Sequence, residues 1–325
     1  MKVTGTSLAI VLALAVFTAS SPVEAQPAGK MYRIGLFHVG LDHVPPSLDG
    51  LRDALKGLGY EEGKSVRLDF RNLADEAAAN TTAREFVRER VDLIVAFENQ
   101  TIRAAKAATS TIPVVFLHAA DPVADGFVSS LARPGGNLTG FSGQGDLPAK
   151  HMEVFKELVP KLRRLLVLTD ADPTTLHRVP EVRAAAATLK IELIERNVAD
   201  GGDLERAFAG VKRDRIDGVF ILSPKLATNF TSPILRLTAE NRLPLDGAFR
   251  DWVKAGALFS YAPDYRAVGA DSARYVDRIL KGAKPADLPV QQVSRFELVV
   301  NKQTAKALGL TIPPSLLLRA DQLID

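Results

Sequence analysis

The sequence predicts an α/β protein of two doubly wound parallel-sheet lobes joined by a hinge of several chain crossings. Three observations lead there. Short β-branched or apolar runs alternate with amphipathic helical segments along almost the whole chain. The alternation pauses once, at the glycine-rich residues 133–145 (RPGGNLTGFSGQG), and then restarts. The chain has 325 residues, more than one folding unit usually holds at roughly 150 residues per domain.

In the first half, residues 33–39 (RIGLFHV) read as a strand. Residues 46–58 set Leu48, Leu51, Leu55 and Leu58 at helical spacing. Residues 66–70 are a second strand and 77–90 a second helix. The continuous apolar run 92–97 (DLIVAF) suits a strand covered on both faces. Residues 102–108 are helical and 113–117 (PVVFL) form a fourth strand. This order calls for parallel strands with right-handed crossovers.

The second half repeats the rhythm. Helices are expected at 151–158, 181–189, 204–211 and 231–241. Strands are expected at 165–169 (LLVLT), 191–198 and 218–222 (GVFIL), with a short one around 243–245. Residues 258–261 (LFSY) make a second crossing, followed by a long helix at 265–281 and a late strand at 296–300 (FELVV). One lobe is therefore expected from residues 31–141 plus about 262–290, the other from 142–261 plus about 291–325. Two units joined by more than one segment make a hinge and a cleft.

Residues 1–25 read as a cleavable signal peptide. Lys2 is basic, residues 8–17 (LAIVLALAVF) are apolar, and Val23 and Ala25 are small residues before a cleavage point. Ten apolar residues are too few to span a bilayer, which takes about 20. The chain has no cysteine, which excludes disulfides, thiolate catalysis, Cys-built zinc sites and an N-terminal lipid on cysteine. An exported, unanchored protein is expected in the periplasm of a cell with an outer membrane. The net charge is only +3 and no basic stripe carries interleaved aromatics, so nucleic acid is not an expected partner.

Ligands of parallel α/β sheets sit beyond the carboxyl ends of the strands, where helix N-termini favour anions. After the first strand come His38, Asp42 and His43, read as polar loop residues because their spacing fits no metal motif. After the third come Glu98, Asn99, Gln100 and Thr101. A helix cap needs one polar residue, and here there are four, so both capping and ligand contact are open. Asp121, after the fourth strand, suits either the ligand or an Asp-Pro turn. The second half offers Asp170, Ser223, Lys225 and Asp246. Phe141, Phe249 and Tyr261 are the aromatic candidates for an apolar ligand part, with core packing as the alternative.

Two segments resemble catalytic motifs and fail them. Residues 57–65 (GLGYEEGKS) look like a phosphate loop, but Leu58 stands where its first glycine must be, and Glu61 and Glu62 would repel phosphate. Residues 140–144 (GFSGQ) have Gln144 where a nucleophile elbow needs glycine. No catalytic residue, metal site or cofactor is therefore expected.

Several blocks carry a family likeness. They are 121–123 (DPV), 131–140 (LARPGGNLTG), 259–264 (FSYAPD), 275–289 (YVDRILKGAKPADLP), 296–299 (FELV) and 304–316 (TAKALGLTIPPSL). Together they resemble the ABC transporter substrate-binding proteins of the tryptophan/tyrosine-type uptake family. The resemblance covers nearly the whole chain after the leader. It implies a type I periplasmic-binding-protein fold, an aromatic or related amino acid as ligand, and delivery to a permease in the inner membrane. Where many members carry a small turn after the third strand, this chain has Glu98-Asn99-Gln100-Thr101, which brings a negative charge and two amides.

The expected mechanism is capture of a small polar ligand by a monomer whose lobes close over it. The ligand carboxylate would meet Asn99–Thr101 or Ser223, and its ammonium Glu98, Asp121 or Asp246. Its side chain would pack near Phe141, Phe249 or Tyr261. A sensor reporting the same ligand to a membrane receptor would use the same fold. A periplasmic enzyme would need a motif that is not in the sequence.

Overall fold

The structure, a computed structural model, describes residues 30–40, 45–143 and 148–325. Residues 1–25, expected to be a signal peptide, and Asp42, His43 and Gln144 lie outside the described residues. The first sheet is built by β1 (Tyr32–Val39), β2 (Val66–Leu73), β3 (Leu93–Ala96), β4 (Val114–Ala119) and β5 (Leu138–Ser142). Helices α1 (Pro46–Gly57), α2 (Glu76–Arg88) and α3 (Asn99–Ala108) connect them. The second lobe opens with α4 (Pro148–Leu158), β6 (Arg164–Thr169), α5 (Pro173–Thr188), β7 (Glu192–Asn197), α6 (Gly201–Ala209) and β8 (Gly218–Ile221). It continues through α7 (Pro224–Asn229), α8 (Thr231–Glu240), β9 (Leu245–Asp246), α9 (Arg250–Lys254) and β10 (Phe259–Pro263). The chain then returns to the first lobe for α10 (Tyr265–Leu280) and β11 (Gln291–Gln292). It ends in the second with β12 (Phe296–Asn301), α11 (Lys302–Ala307), α12 (Pro314–Arg319) and β13 (Gln322–Ile324).

Both sheets repeat one strand order. The first runs β11-β5-β4-β3-β1-β2 and the second β13-β12-β10-β9-β8-β6-β7. Within each, the first strand of the lobe lies between its second and third, as in doubly wound sheets whose order reverses at that point. All pairings are parallel except β10 with β12, which is antiparallel, because the chain re-enters the sheet from the opposite end after α10.

Both faces of each sheet are covered, and the apolar runs follow from this. On one face of the first sheet Ile34, Leu36 and Val95 pack with Leu48, Leu51 and Val276; on the other, Phe37 and Ala96 pack with Phe86 and Ile102. Edge strand β2 is only partly buried, which explains why its sequence (VRLDFRNL) mixes charge with apolar residues. Helix α10 crosses α1 at contact distance. A Cβ on Gly269 would lie 1.9 Å from the Ser47 carbonyl oxygen, and one on Gly50 2.0 Å from that of Arg266. Only glycines let these helices approach so closely.

Three readings need correction. Residues 133–145 are not only a linker, because β5 lies within them. Gly140 holds φ +153°, and a Cβ there would fall 2.0 Å from the Phe116 carbonyl oxygen. Glycine here serves close strand pairing beside an irregular register between β4 and β5. Leu58 is not a buried helix position; it follows the last turn of α1 and is 42% exposed. The strand expected around 243–245 begins only at Leu245, since Pro244 has no N–H for the ladder and its carbonyl accepts from Val219.

Candidate functional site

The carboxyl ends of the two sheets share a cleft of about 870 Å³, within the usual range for small-molecule sites. The order-reversal point of each lobe falls on it. In the first lobe this point lies between β1 and β3, whose ends carry His38 and Glu98. His38 Nε2 lies 3.2 Å from Glu98 Oε2, with side chains 9% and 16% exposed. In the second lobe it lies between β6 and β8, followed by Asp170 and Ser223. Ser223 Oγ donates to Asp170 Oδ2 at 2.7 Å and accepts from Leu226 N at 3.0 Å, capping α7.

Glu98 is held where it is by its backbone. It precedes the first turn of α3 in extended conformation and forms a capping box with Thr101. Thr101 Oγ1 accepts from Glu98 N at 3.2 Å and donates to the Glu98 carbonyl at 2.9 Å. Burial pushes the Glu98 carboxyl up to about 8, against the lowering influence of bonds from Thr101 and Val39 and the more distant Arg103 charge. At neutral pH it is therefore mostly a neutral acid. Burial and the neighbouring His38 push His118 down to about 3, so this imidazole is neutral. His118 meets the ring of Tyr265 edge-on at 4.5 Å, and Tyr265 meets Phe249 at 6.2 Å. All three line the cleft, an aromatic wall contributed by both lobes.

Of the residues singled out in the sequence, His38, Glu98, Asp121, Ser223, Asp246 and Phe249 line the cleft. Asp246 Oδ2 lies 2.7 Å from His151 Nδ1, both buried. Asp121 Oδ1 also accepts from the backbone of Val123 and Ala124, so its turn is real. Asn99, Gln100, Thr101 and Tyr261 are not among the lining residues. The Asn99 amide donates to Asp125 and Thr174 and accepts from Ala120 N. Tyr261 stacks on Phe296 at 5.4 Å. Phe141 packs against Tyr275 in the first-lobe core.

Sequence reasoning missed Tyr265, His151 and Ser260. Tyr265 could have been found, since it follows a strand and opens a helix capped by Asp264. His151 had no local sign, because its partner is 95 residues away. The Ser260 hydroxyl lines the cleft, buried and without a partner among the described residues. Among those residues no cluster of three or more His, Cys, Asp or Glu side chains could hold a metal ion. No described helix is long and apolar enough to cross a membrane.

Three relatives place this geometry. A curated "Tyrosine-binding protein" from Clostridioides difficile is 27% identical over 298 residues, covering 90% of this chain and 85% of that one. The crystal structure of an ABC domain from Streptococcus pneumoniae in complex with L-Trp is 27% identical, with TM-score 0.82 over 91% of this chain and all of that one. A ligand-free, open structure of a substrate-binding protein with adhesive properties from Clostridium difficile is 25% identical, with TM-score 0.66 over 90% and 99%. Residues 38–324 match the family described as ABC transporter substrate binding protein. With that match over almost the whole described chain, and two lobes that line one cleft, the protein belongs to the ABC transporter substrate-binding protein family.

Proposed function

We propose that the protein is a periplasmic monomer that captures a free amino acid with an aromatic side chain and delivers it unchanged to an inner-membrane permease. One observation carries this reading: the cleft joins a buried carboxyl, Glu98, to an aromatic wall of His118, Tyr265 and Phe249. In this arrangement the ligand ammonium meets Glu98 and its ring lies against the wall. The donors first expected for its carboxylate are largely engaged, since Thr101, Asn99 and Ser223 bond within the protein. The start of α1 offers the backbone N–H of Ser47, a residue that lines the cleft; Pro45 and Pro46 have none, and Leu48 N donates to the Pro45 carbonyl. The names of the tyrosine-binding relative and the L-Trp complex agree in ligand class.

The test is native mass spectrometry of freshly purified protein, followed by titration calorimetry with the twenty amino acids. Micromolar binding, about −8 kcal/mol, is expected for tyrosine, tryptophan or phenylalanine. At a hundredfold excess over Kd it stabilises the fold by about 2.7 kcal/mol. Tight binding of an aliphatic or anionic solute, with none to aromatic amino acids, rejects the assignment.

A further inference from the structure

We infer that the contact between α3 and the start of α5 is an interlobe clamp that sets the closed population of the protein, chiefly through the Arg103–Asp172 ion pair, which lies off the lining of the cleft. Two bonds cross between the lobes here. Asn99 Nδ2 donates to Thr174 Oγ1 at 2.8 Å, and Arg103 Nη2 donates to Asp172 Oδ2 at 2.8 Å. A third contact, from Thr174 Oγ1 to Asp125 Oδ1, spans 3.5 Å. Asn99 is 8% exposed and Thr174 4%; the Arg103 and Asp172 side chains are 31% and 19% exposed.

Both ends of the clamp are preorganised. Asp172 is the N-cap of α5, its Oδ1 accepting from Thr174 N at 2.8 Å. Asn99 is fixed on its own lobe by Asp125 Oδ2 at 2.7 Å and Ala120 N at 3.1 Å. Little side-chain freedom remains to be lost when the lobes meet, which is what usually cancels the gain of an exposed ion pair. Asn99, Arg103 and Asp172 are absent from the lining of the cleft, whereas Thr174 and Asp125 belong to it. In overall arrangement the chain matches the L-Trp-bound relative more closely than the open one, and this is the arrangement in which the clamp is made. A contact present only with the lobes together raises the fraction of binding-competent protein, and with it the apparent affinity.

The chain has no cysteine, so Lys64→Cys and Lys212→Cys place one spin label on each lobe. Pulsed dipolar spectroscopy of the ligand-free protein then reads the interlobe distance distribution. Asp172→Asn keeps a competent helix cap and removes the ion pair. It is expected to lower the closed-to-open ratio about fivefold, as is Arg103→Gln, the size of a well-ordered ion pair. The double variant should shift the ratio no further than either single one. An unchanged distribution in Asp172→Asn, or additive single effects, overturns the clamp. The readout needs no ligand, so its failure is distinct from failure of the amino-acid assignment.

Discussion

Replacing Glu98 by glutamine tests both the charge logic of the cleft and the pole of the ligand it receives. Burial holds the Glu98 carboxyl at about 8. An ammonium bound beside it requires the carboxylate, so the fraction ionised before binding sets the affinity. That fraction is about 1% at pH 6 and about half at pH 8, from the one-site titration relation. Affinity for an amino acid should therefore rise roughly fiftyfold between these values, with nearly one proton released per ligand at pH 7. His38 at 3.2 Å, the Thr101 hydroxyl and the Arg103 charge are the other groups acting on this carboxyl. Calorimetry in buffers of different ionisation enthalpy counts the proton directly. Glu98→Gln should flatten the pH slope, abolish the proton release and weaken binding. If Glu98 acts instead as a neutral donor to the ligand carboxylate, affinity falls as pH rises through about 8. A falling or absent slope in the parent protein refutes the reasoning.

The same carboxyl sets a stability slope. Its pKa is raised on folding from 4.5 to about 8, so its stabilising contribution is complete below 4.5 and is lost as pH climbs through about 8. Up to roughly 5 kcal/mol is at stake, and urea unfolding should find Glu98→Gln more stable than the parent at pH 8. His118 has the opposite sign. Its pKa falls from 6.5 to about 3, so stability drains as pH falls below 6.5, and His118→Phe should lose much of that acid sensitivity in thermal melts across pH 6.5–4. Tyr265→Ala removes the centre of the aromatic wall and should weaken aromatic ligands by about 1–3 kcal/mol while sparing alanine-sized ones, as competition calorimetry would show. Gly269→Ala drives a methyl into the Ser47 carbonyl and should cost about 1–3 kcal/mol in denaturant unfolding.

The two-lobed architecture was legible because covered parallel strands write themselves as unbroken apolar runs. Residues 92–97 and 218–222 could be nothing else at that length and rhythm. Strand β5 was hidden because the glycine that allows its close pairing with β4 also makes the segment look like a loop. The strand tips that face the cleft were legible from the general rule of parallel sheets, which brought Glu98, Asp121, Ser223, Asp246 and Phe249 to one wall or another. Which polar residue faces ligand and which faces protein was not legible. Asn99 adjoins Glu98 in sequence, yet their side chains do separate work, because Glu98 is the extended cap residue and Asn99 the first residue of the helix. Thr174, 75 residues away, decides what Asn99 does.

That divergence at the start of α3 links the two events a binding protein must couple. Glu98 faces the cleft from the residue that caps the helix, while Asn99 and Arg103, one and five residues on, hold the other lobe. A rigid helix carries both, so any ligand that settles against Glu98 fixes the element on which the clamp is mounted. Arg103 adds an electrostatic connection, since its charge is felt at the Glu98 carboxyl and favours ionisation there. In the proposed binding mode, capture of an ammonium and closure of the lobes reinforce one another through the start of α3. Neither needs a relay of small shifts across the domain, and the coupling can be no larger than the difference in affinity between the closed and open forms.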